Sequence, residues 1–436
     1  MPDTHKKTLA TNRKKRILVF PCGSEIGLEI HRSMRYSTHF ELVGASSVDD
    51  HGRFIYENYI ADLPFHTHTN FINETKKIIL EHKIDAIYPT MDAVAETLQN
   101  IALQFNIRVI GSSKQTTGIC ASKRKTYSAL ENLIPIPKIY KSISELKHFP
   151  IFIKPDRSYG ARGAARADNT ESAKQILANA DNQEMLLLEY LPGKEWTVDC
   201  FSDRHGELRF HGARGRNRVS NGISVNTKPC KEFAQEFAQW ADIINNVLKP
   251  RGAWFFQAKL DSTGKPKLLE VAARLAGSSG LFRMLGVNFA LLSTFDAFDQ
   301  DVEILTNDFP IEMDRALESR FKIDIDYTHI FVDFDDCLII NGKVNHQLVG
   351  FLYKAIGEGK HISLITRHAD NLSKSLEKYR LTQIFDRIIH ITDGSPKSDY
   401  VDAEKAVFID DSFYERKHLS IIKKYTFSPE QIDLNS

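Results

Sequence analysis

Six side chains suited to phosphoryl transfer lie in the last quarter of the chain, where short and mainly apolar runs end. Residues 330–332, 363–365 and 406–409 each lead into one or two of these side chains. The six are Asp333, Asp335, Thr366, Lys397, Asp410 and Asp411. Because the carboxyl ends of parallel strands open into one crevice, we expect these groups to meet there. Carboxylates, a hydroxyl and a lysine in one crevice fit Mg²⁺-dependent phosphoryl transfer through an aspartate.

The order and spacing of these segments resemble the haloacid dehalogenase superfamily of phosphatases, over residues 327–436. The resemblance implies that Asp333 attacks phosphorus, while Asp335 protonates the leaving alkoxide and then deprotonates water. It also implies that Thr366 and Lys397 hold the transferring phosphoryl group. Metal binding is implied for four carboxylates, namely Asp333, Asp335, Asp410 and Asp411.

Three features of this segment depart from the superfamily pattern or leave a choice open. Asp336 and Cys337 stand where Gly and Thr are usual, and neither change removes a reacting group. Lys405 is a second candidate for the phosphatase lysine. The intervals between the motifs leave room for a strand and a helix but for no inserted cap domain.

A second set of charged residues occupies the middle of the chain. Lys154 ends an apolar run and precedes a loop, residues 156–163, with two glycines and two arginines. Backbone N–H groups and cations in such a loop are able to cover a triphosphate. Farther along, two runs that we predict to be paired strands carry Gln257 and Glu270, and Arg274 follows.

Residues 16–300 resemble the ATP-grasp ligases, and most closely the branch of carbamoyl-phosphate synthetase and biotin carboxylase. The resemblance implies an ATP site with Mg²⁺ held by Gln257 and Glu270, and with Arg274 facing an acyl phosphate. Cations and metal must screen a carboxylate from the γ-phosphate before it is phosphorylated. Nucleotide contacts are implied, in chain order, for Lys123, Lys154, Tyr159, Gly160, Gly163, Glu189, Leu191 and Glu195.

One departure from the family pattern and one group of arginines bear on this site. The branch usually has Asn two residues after the metal-binding Glu, whereas this chain has Ala272, which has no group that binds a cation. Arg214, Arg216 and Arg218 alternate, so in a strand they share one face and are able to grip a carboxylate or phosphate. Arg216 is our preferred substrate ligand, and a solvated basic hairpin is the alternative for Arg214 and Arg218.

The elements that position these groups alternate between apolar strands and helices in the first 115 residues, which predicts a parallel sheet. Together with this alternation, the two resemblances imply an α/β and α+β multidomain protein: a Rossmann-like pre-ATP-grasp lobe, an ATP-grasp fold and a capless Rossmannoid haloacid dehalogenase-like domain. The predicted ranges are a disordered basic tail at 1–15, the lobe at 16–115, the ATP-grasp domain at 116–300, a linker at 301–326 and the phosphatase domain at 327–436.

Composition narrows the class of protein. A chain of 436 residues with 42% hydrophobic and 26% charged residues is globular and long enough for several domains. The formal net charge of +1 disfavours nucleic acid and membrane partners. Five scattered cysteines and the lack of an apolar run of about 18 residues predict a cytoplasmic protein without a disulfide framework.

These observations predict a bifunctional enzyme. The first activity is an ATP-dependent carboxylate–amine ligase, and the second is a phosphatase for a phosphate ester in the same small-molecule pathway. A homodimer is possible. Two alternatives remain: a phosphatase regulated by a non-catalytic ATP-binding module, and an ATP-grasp kinase or carbamoyl-type synthetase. Processing of nucleic acid ends is disfavoured by the charge.

Overall fold

The computed structural model divides into two compact units, Met1–Leu317 and Glu318–Ser436. It describes residues 13–158, 162–180, 183–220, 222–317, 325–422 and 424–431. The predicted tail therefore lies almost wholly outside the described residues. Each unit has its own hydrophobic core.

The first unit begins with a five-stranded parallel sheet of order β3-β2-β1-β4-β5. Its helices cover both faces, because alternate residues of each strand point to opposite sides. Ile17 and Val19 pack with α1 and α9 on one face, and Leu18 and Phe20 pack on the other. The parallel sheet predicted from the sequence is confirmed. The elements are β1 (Lys15–Phe20), α1 (Glu25–Met34), β2 (Phe40–Ala45), β3 (Asn58–Ile60), α2 (Phe71–Glu81), β4 (Ala86–Pro89), α3 (Asp92–Phe105), β5 (Arg108–Val109) and, later in the chain, α9 (Phe289–Ala297).

A four-stranded antiparallel sheet of order β6-β9-β7-β8 follows, with helices before and after it. Its strands are short, and β7 carries Lys154 close to its end. The elements are α4 (Lys114–Cys120), α5 (Lys123–Leu130), β6 (Ile139–Tyr140), β7 (Ile151–Pro155), β8 (Ala165–Ala167), α6 (Thr170–Ala178) and β9 (Met185–Glu189).

A six-stranded sheet of order β14-β13-β10-β11-β12-β15 completes the first unit. One face is apolar: Trp196, Trp254 and Leu268 pack against Phe237 and Trp240 of α7. Alternation places the charged and amide side chains on the opposite face. The elements are β10 (Glu195–Ser202), β11 (Leu208–Ser220), β12 (Ile223–Pro229), α7 (Ala234–Leu248), β13 (Gly252–Leu260), β14 (Pro266–Ala272), α8 (Gly280–Met284) and β15 (Met313–Asp314).

The residues predicted as a linker, 301–326, have structure in their first part. Met313–Asp314 pairs with β12, and Val302, Ile304 and Ile311 pack against the core of the first unit. This strand was not predicted, because two residues are too few to form a periodic pattern and the surrounding segment is charged and irregular.

The second unit is built on a five-stranded parallel sheet of order β20-β19-β16-β21-β22. A short hairpin, β17 and β18, lies between β16 and α10. No cap domain interrupts the residues described between β16 and β21. The elements are β16 (His329–Val332), β17 (Ile339–Ile340), β18 (Lys343–Val344), α10 (His346–Gly357), β19 (His361–Thr366), α11 (Leu372–Lys378), β20 (Arg387–His390), β21 (Ala406–Ile409), α12 (Phe413–Ile421) and β22 (Tyr425–Phe427).

The arginines of β11 have different environments. Arg214 Nε lies 2.6 Å from Asp199 Oδ2, and the two side chains are only 2% and 3% exposed. Arg218 pairs with Asp314 at 2.7 Å, and those side chains are 59% and 53% exposed. The alternative of a solvated hairpin therefore fits Arg218 and is wrong for Arg214.

Within the described ranges, no helix is long and apolar enough to cross a membrane.

We predict that Asp199→Ala lowers the free energy of unfolding of the first unit by about 3–5 kcal/mol, because it leaves the Arg214 charge buried and unpaired. Urea denaturation followed by tryptophan fluorescence measures this, since all three tryptophans, 196, 240 and 254, lie in that unit. The matched exposed change Asp314→Ala is expected to cost at most about 1 kcal/mol. Equal effects of the two substitutions would contradict the prediction.

Candidate functional sites

A row of polar side chains crosses four strands of the six-stranded sheet. Arg214 of β11 is opposite Thr197 of β10, which is opposite Gln257 of β13, which is opposite Glu270 of β14. Directly opposed residues project from the same face. The predicted pairing of the strands that carry Gln257 and Glu270 is thus confirmed. Within the described residues, the side chains of Gln257 and Glu270 have no hydrogen-bond or ion-pair partner, so the amide oxygen of Gln257 and the carboxylate oxygens of Glu270 are free to bind a cation.

Lys154 lies close to this row. Its Nζ donates to the hydroxyl of Tyr127 and to the carbonyl oxygen of Leu269, both at 3.1 Å. Tyr127 in turn donates to the same carbonyl at 2.6 Å. Burial lowers the pKa of Lys154 to about 8, and the nearby Glu270 carboxylate opposes that shift. The ammonium is therefore held by neutral oxygens in a water-poor environment.

Lys123 is the first residue of α5 and is also buried. Its Nζ donates to the carbonyl of Asp156 at 3.2 Å and to the carbonyl and hydroxyl of Ser158 at 3.3 Å. Burial lowers the pKa of Lys123, with Glu270 again opposing. The carboxylate of Asp156 accepts from Ser122 Oγ and from the backbone N–H of Arg124, both at 2.7 Å, which fixes the start of the helix.

The two lysines and the free oxygens fit a nucleotide and a divalent cation. Neither ammonium forms an ion pair with a carboxylate of the described ranges, although both residues are only 7% exposed. A buried cation without a charged partner is costly, and an anionic ligand offsets that cost. The donor set of Glu270 and Gln257 consists of oxygens, which suit Mg²⁺.

The predicted contacts to the rest of the nucleotide are only partly described. Tyr159 and Gly160 lie outside the described residues. Gly163 has φ +69°, a left-handed conformation that favours glycine. Leu191 is buried, and the Glu189 carboxylate accepts from Lys267 Nζ at 2.6 Å and from the backbone N–H of Lys138 at 3.0 Å.

Glu195 and Arg216, predicted to bind ribose and substrate, contact each other. Arg216 Nε lies 2.7 Å from Glu195 Oε1, and Lys259 Nζ lies 3.6 Å from Glu195 Oε2. Arg216 also donates to the carbonyl of Gly222 at 2.8 Å. Glu195 and Arg216 therefore already have protein partners, and a ligand that binds either side chain has to bind beside those partners or displace them.

Arg274 follows β14 and contacts a residue that the sequence analysis did not find. Its Nε donates to Asp92 Oδ2 at 2.8 Å, and its guanidinium lies 5.3 Å from the ring centre of Phe255. Asp92 begins α3, far away in sequence, so only the fold could reveal it. Ala272 is buried against Phe255 and Ala276, and it brings no oxygen beside Glu270.

In the second unit, the predicted groups meet at the carboxyl ends of neighbouring strands. Asp333 follows β16, which lies between β19 and β21 in the sheet. Thr366 ends β19, and Asp410 follows β21. This is the convergence that the strand-end argument predicted.

Lys397 links two of these carboxylates. Its Nζ lies 2.9 Å from Asp333 Oδ1 and 2.6 Å from Asp410 Oδ2, and the lysine is 3% exposed. Burial acts to lower the pKa of Lys397, but Asp333 and Asp410 outweigh it and raise that pKa. Burial raises the pKa of Asp333 to about 6, against the effect of Lys397. Lys405, the other candidate, is exposed and contacts Asp326, so the geometry favours Lys397.

Asp333, Asp410 and Asp411 are able to bind one metal ion, because each offers an oxygen within 4.8 Å of the others. Asp410 Oδ1 accepts from the backbone N–H of Ser412 at 2.8 Å. Arg416 donates to the carbonyls of Asp410 and Asp411, which fixes the loop. An all-oxygen cluster of this kind fits Mg²⁺.

The side chain of Asp335 is not part of that cluster. Its two carboxylate oxygens lie 2.9 and 3.0 Å from Nδ1 of His368. The sequence analysis missed His368, although a histidine two residues beyond the end of a strand at the crevice was a usable signal. The metal role predicted for the Asp335 side chain has no support in this arrangement, whereas an acid–base role fits it.

The comparisons with known proteins concern the first unit. A family model described as "ATP-grasp in the biosynthetic pathway with Ter operon" matches residues 181–315. No curated protein matches the chain in sequence.

Three solved structures are similar to the chain in fold. The biotin carboxylase domain dimer of a 2-oxoglutarate carboxylase from Hydrogenobacter thermophilus, in complex with MgADP, ADP and bicarbonate, has a TM-score of 0.58 at 16% identity and covers 66% of this chain and 70% of its own. N5-carboxyaminoimidazole synthetase from Staphylococcus aureus, complexed with ADP, has a TM-score of 0.56 at 15% identity, with coverages of 67% and 80%. An L-amino acid ligase from Bacillus licheniformis has a TM-score of 0.51 at 16% identity, with coverages of 67% and 75%.

The family match and the structural similarities agree with the row of polar side chains and with the two buried lysines beside it. The family match and the three structures therefore show that the first unit has an ATP-grasp fold.

Proposed function

We propose that the first unit is an ATP-dependent ligase that activates a carboxylate as an acyl phosphate and transfers the acyl group to an amine. The observation that carries this proposal is the pair of buried lysines next to Glu270. Lys123 and Lys154 hold the phosphates, and Gln257 and Glu270 hold Mg²⁺. The metal neutralises phosphate charge, so that an anionic carboxylate is able to approach.

The remaining charged groups suit the substrate side of the same reaction. Arg274 and Arg216 stabilise negative charge on the carboxylate and on the acyl phosphate, and Asp92 and Glu195 fix their orientation. The three similar enzymes support ligase chemistry because their names describe carboxylation, synthesis or ligation of small molecules.

Ala272 favours a second candidate for the first unit, a nucleotide-binding module that regulates the second unit. Ala272 packs against Phe255 and Ala276 and has no oxygen with which to replace the missing Asn. A screen of ADP release separates the candidates. Release that requires both a carboxylate and an amine supports the ligase, release with a carboxylate alone supports a kinase or carbamoyl-type synthetase, and binding without release supports the regulatory module.

For the second unit we propose a Mg²⁺-dependent phosphomonoester hydrolase, supported by the contact of Lys397 with Asp333 and Asp410. An oxygen of Asp333 attacks phosphorus while the bond to the leaving oxygen breaks, and Asp335 donates a proton to that oxygen. Asp335 then accepts a proton from water as the water oxygen attacks phosphorus. Release of inorganic phosphate restores Asp333. Thr366 donates to a phosphoryl oxygen, and Lys397 balances its charge.

Because the two activities are on one chain, we expect them to belong to the same small-molecule pathway. One unit then makes or consumes a molecule on which the other unit acts. The substrates are a carboxylate, an amine and a phosphate ester.

Nucleotide binding is predicted to depend on the charge of Lys154. Its pKa in the free protein is about 8, and a bound phosphate raises that pKa. Binding above pH 8 therefore takes up a proton, and the affinity for ADP in excess Mg²⁺ should fall by up to about tenfold per pH unit. Titration calorimetry between pH 7 and 9.5 measures this.

Lys154→Arg is the control for that profile, because a guanidinium stays charged over the whole range. Its affinity is expected to stay flat above pH 8, whatever its absolute value. An equally flat profile for the unsubstituted protein would contradict the assigned role of Lys154.

Substitutions in the two units should separate the two activities. Asp333→Asn removes the nucleophile, and we expect hydrolysis of p-nitrophenyl phosphate to fall by about a thousandfold or more, while ADP binding is unchanged. Glu270→Gln is expected to weaken Mg²⁺-dependent ADP binding and to leave phosphatase activity intact.

Asp336→Asn is the matched control for the phosphatase. It makes the same chemical change three residues away, at an exposed position with φ +51° that asparagine tolerates. It should keep the activity. Loss of hydrolysis in Asp336→Asn, or its survival in Asp333→Asn, would argue against the assignment.

A further inference from the structure

His368 contacts the carboxylate to which the proposed phosphatase reaction assigns proton transfer. It lies two residues beyond Thr366, at the carboxyl end of β19. Nδ1 of His368 is 2.9 and 3.0 Å from the two oxygens of Asp335. The Asp335 side chain is 51% exposed, whereas that of His368 is 11% exposed. A half-exposed carboxylate is free to change rotamer unless a partner holds it.

His368 is itself fixed from several directions. Nε2 lies 2.8 Å from Ser375 Oγ of α11, and the ring packs edge-on against Phe334 with centroids 4.9 Å apart. The backbone N–H donates to Thr366 Oγ1 at 3.2 Å, and the backbone carbonyl lies 2.8 Å from Nε2 of His390. The ring is therefore a rigid support.

Nδ1 of His368 donates its proton to Asp335 whether the imidazole is neutral or charged. Nδ1 faces only acceptor oxygens of Asp335, so it carries the proton in either state of the imidazole. The hydroxyl of Ser375 is able to donate to Nε2 or to accept from it. Thr366 Oγ1 accepts a hydrogen bond from the backbone N–H of His368, so the hydroxyl proton of Thr366 is still able to donate to the phosphoryl group.

We propose that His368 is a positioning residue that holds Asp335 in line to protonate the leaving oxygen, and that the natural substrate is an alkyl phosphate monoester. This proposal rests on the phosphatase function proposed above. An alkoxide is strongly basic and leaves with a proton from Asp335 as the bond from phosphorus to oxygen breaks. A nitrophenolate leaves without that proton. In this first step a held acid therefore matters for alkyl esters only, whereas the later attack of water on the aspartyl phosphate is common to both kinds of ester. The value of kcat/KM reports the first step alone.

The test compares two esters, phenethyl phosphate and p-nitrophenyl phosphate, with the full chain in Mg²⁺. For His368→Ala we expect kcat/KM on phenethyl phosphate to fall by about a hundredfold, because positioned acid catalysis contributes about 10²–10⁴. The kcat/KM on p-nitrophenyl phosphate should change by less than about threefold, because its leaving group needs no proton. Asp335→Asn should show the same selectivity at least as strongly.

Two conservative variants separate positioning from packing. An asparagine amide reaches the place of Nδ1, so His368→Asn should recover most of the activity on the alkyl ester. A glutamine amide reaches the place of Nε2 beside Ser375, so His368→Gln should behave like His368→Ala. His361→Ala, at the opposite end of β19, is the control and should leave both rates unchanged.

The outcomes distinguish this inference from the function on which it rests. Equal losses of kcat/KM on both esters in His368→Ala, or no loss on either, would overturn the role of His368 while the phosphatase stands. If the unsubstituted protein hydrolyses neither ester, or if Asp333→Asn keeps full activity, the phosphatase and the role of His368 both fall.

Discussion

The cost of keeping an ammonium group away from water shapes both units. Lys123, Lys154 and Lys397 are all less than a tenth exposed. Such a charge is stable only if it is surrounded by carboxylates, by other oxygens or by a ligand. The two units meet this requirement differently, and the difference explains what each arrangement is able to do.

In the second unit, Asp333 and Asp410 neutralise Lys397 directly, and the same two carboxylates belong to the oxygen cluster suited to a metal ion. The lysine thus lets Asp333 stay close to other anions. In the first unit, Lys123 and Lys154 contact neutral oxygens, and the carboxylate that affects them, Glu270, forms no ion pair in the described ranges. Their charge remains for a bound anion. A bound phosphate would offset the cost of burying these two charges.

Much of this organisation follows from the sequence. Strand ends in a parallel sheet converge, so the meeting of Asp333, Thr366 and Asp410 was predictable, as was the pairing of the strands that carry Gln257 and Glu270. Contacts between distant segments were not. The alternation of arginines in β11 showed a shared face but not that Arg214 would be buried against Asp199. The contact of Asp92 with Arg274 likewise depends on loop geometry, for which no periodic pattern exists. His368 is different, because its place just beyond the end of β19 was a usable signal.

The central claim is that each unit binds phosphate groups beside its own buried lysine. A crystal structure of the full chain soaked with Mg²⁺, ADP and beryllium fluoride tests it most directly, because beryllium fluoride mimics a phosphoryl group on an aspartate. We predict density for ADP phosphates beside Lys123 and Lys154, a metal ion on Glu270, and beryllium fluoride on Asp333. Nucleotide bound away from the two lysines, or an unmodified Asp333 turned away from Asp410, would contradict the claim.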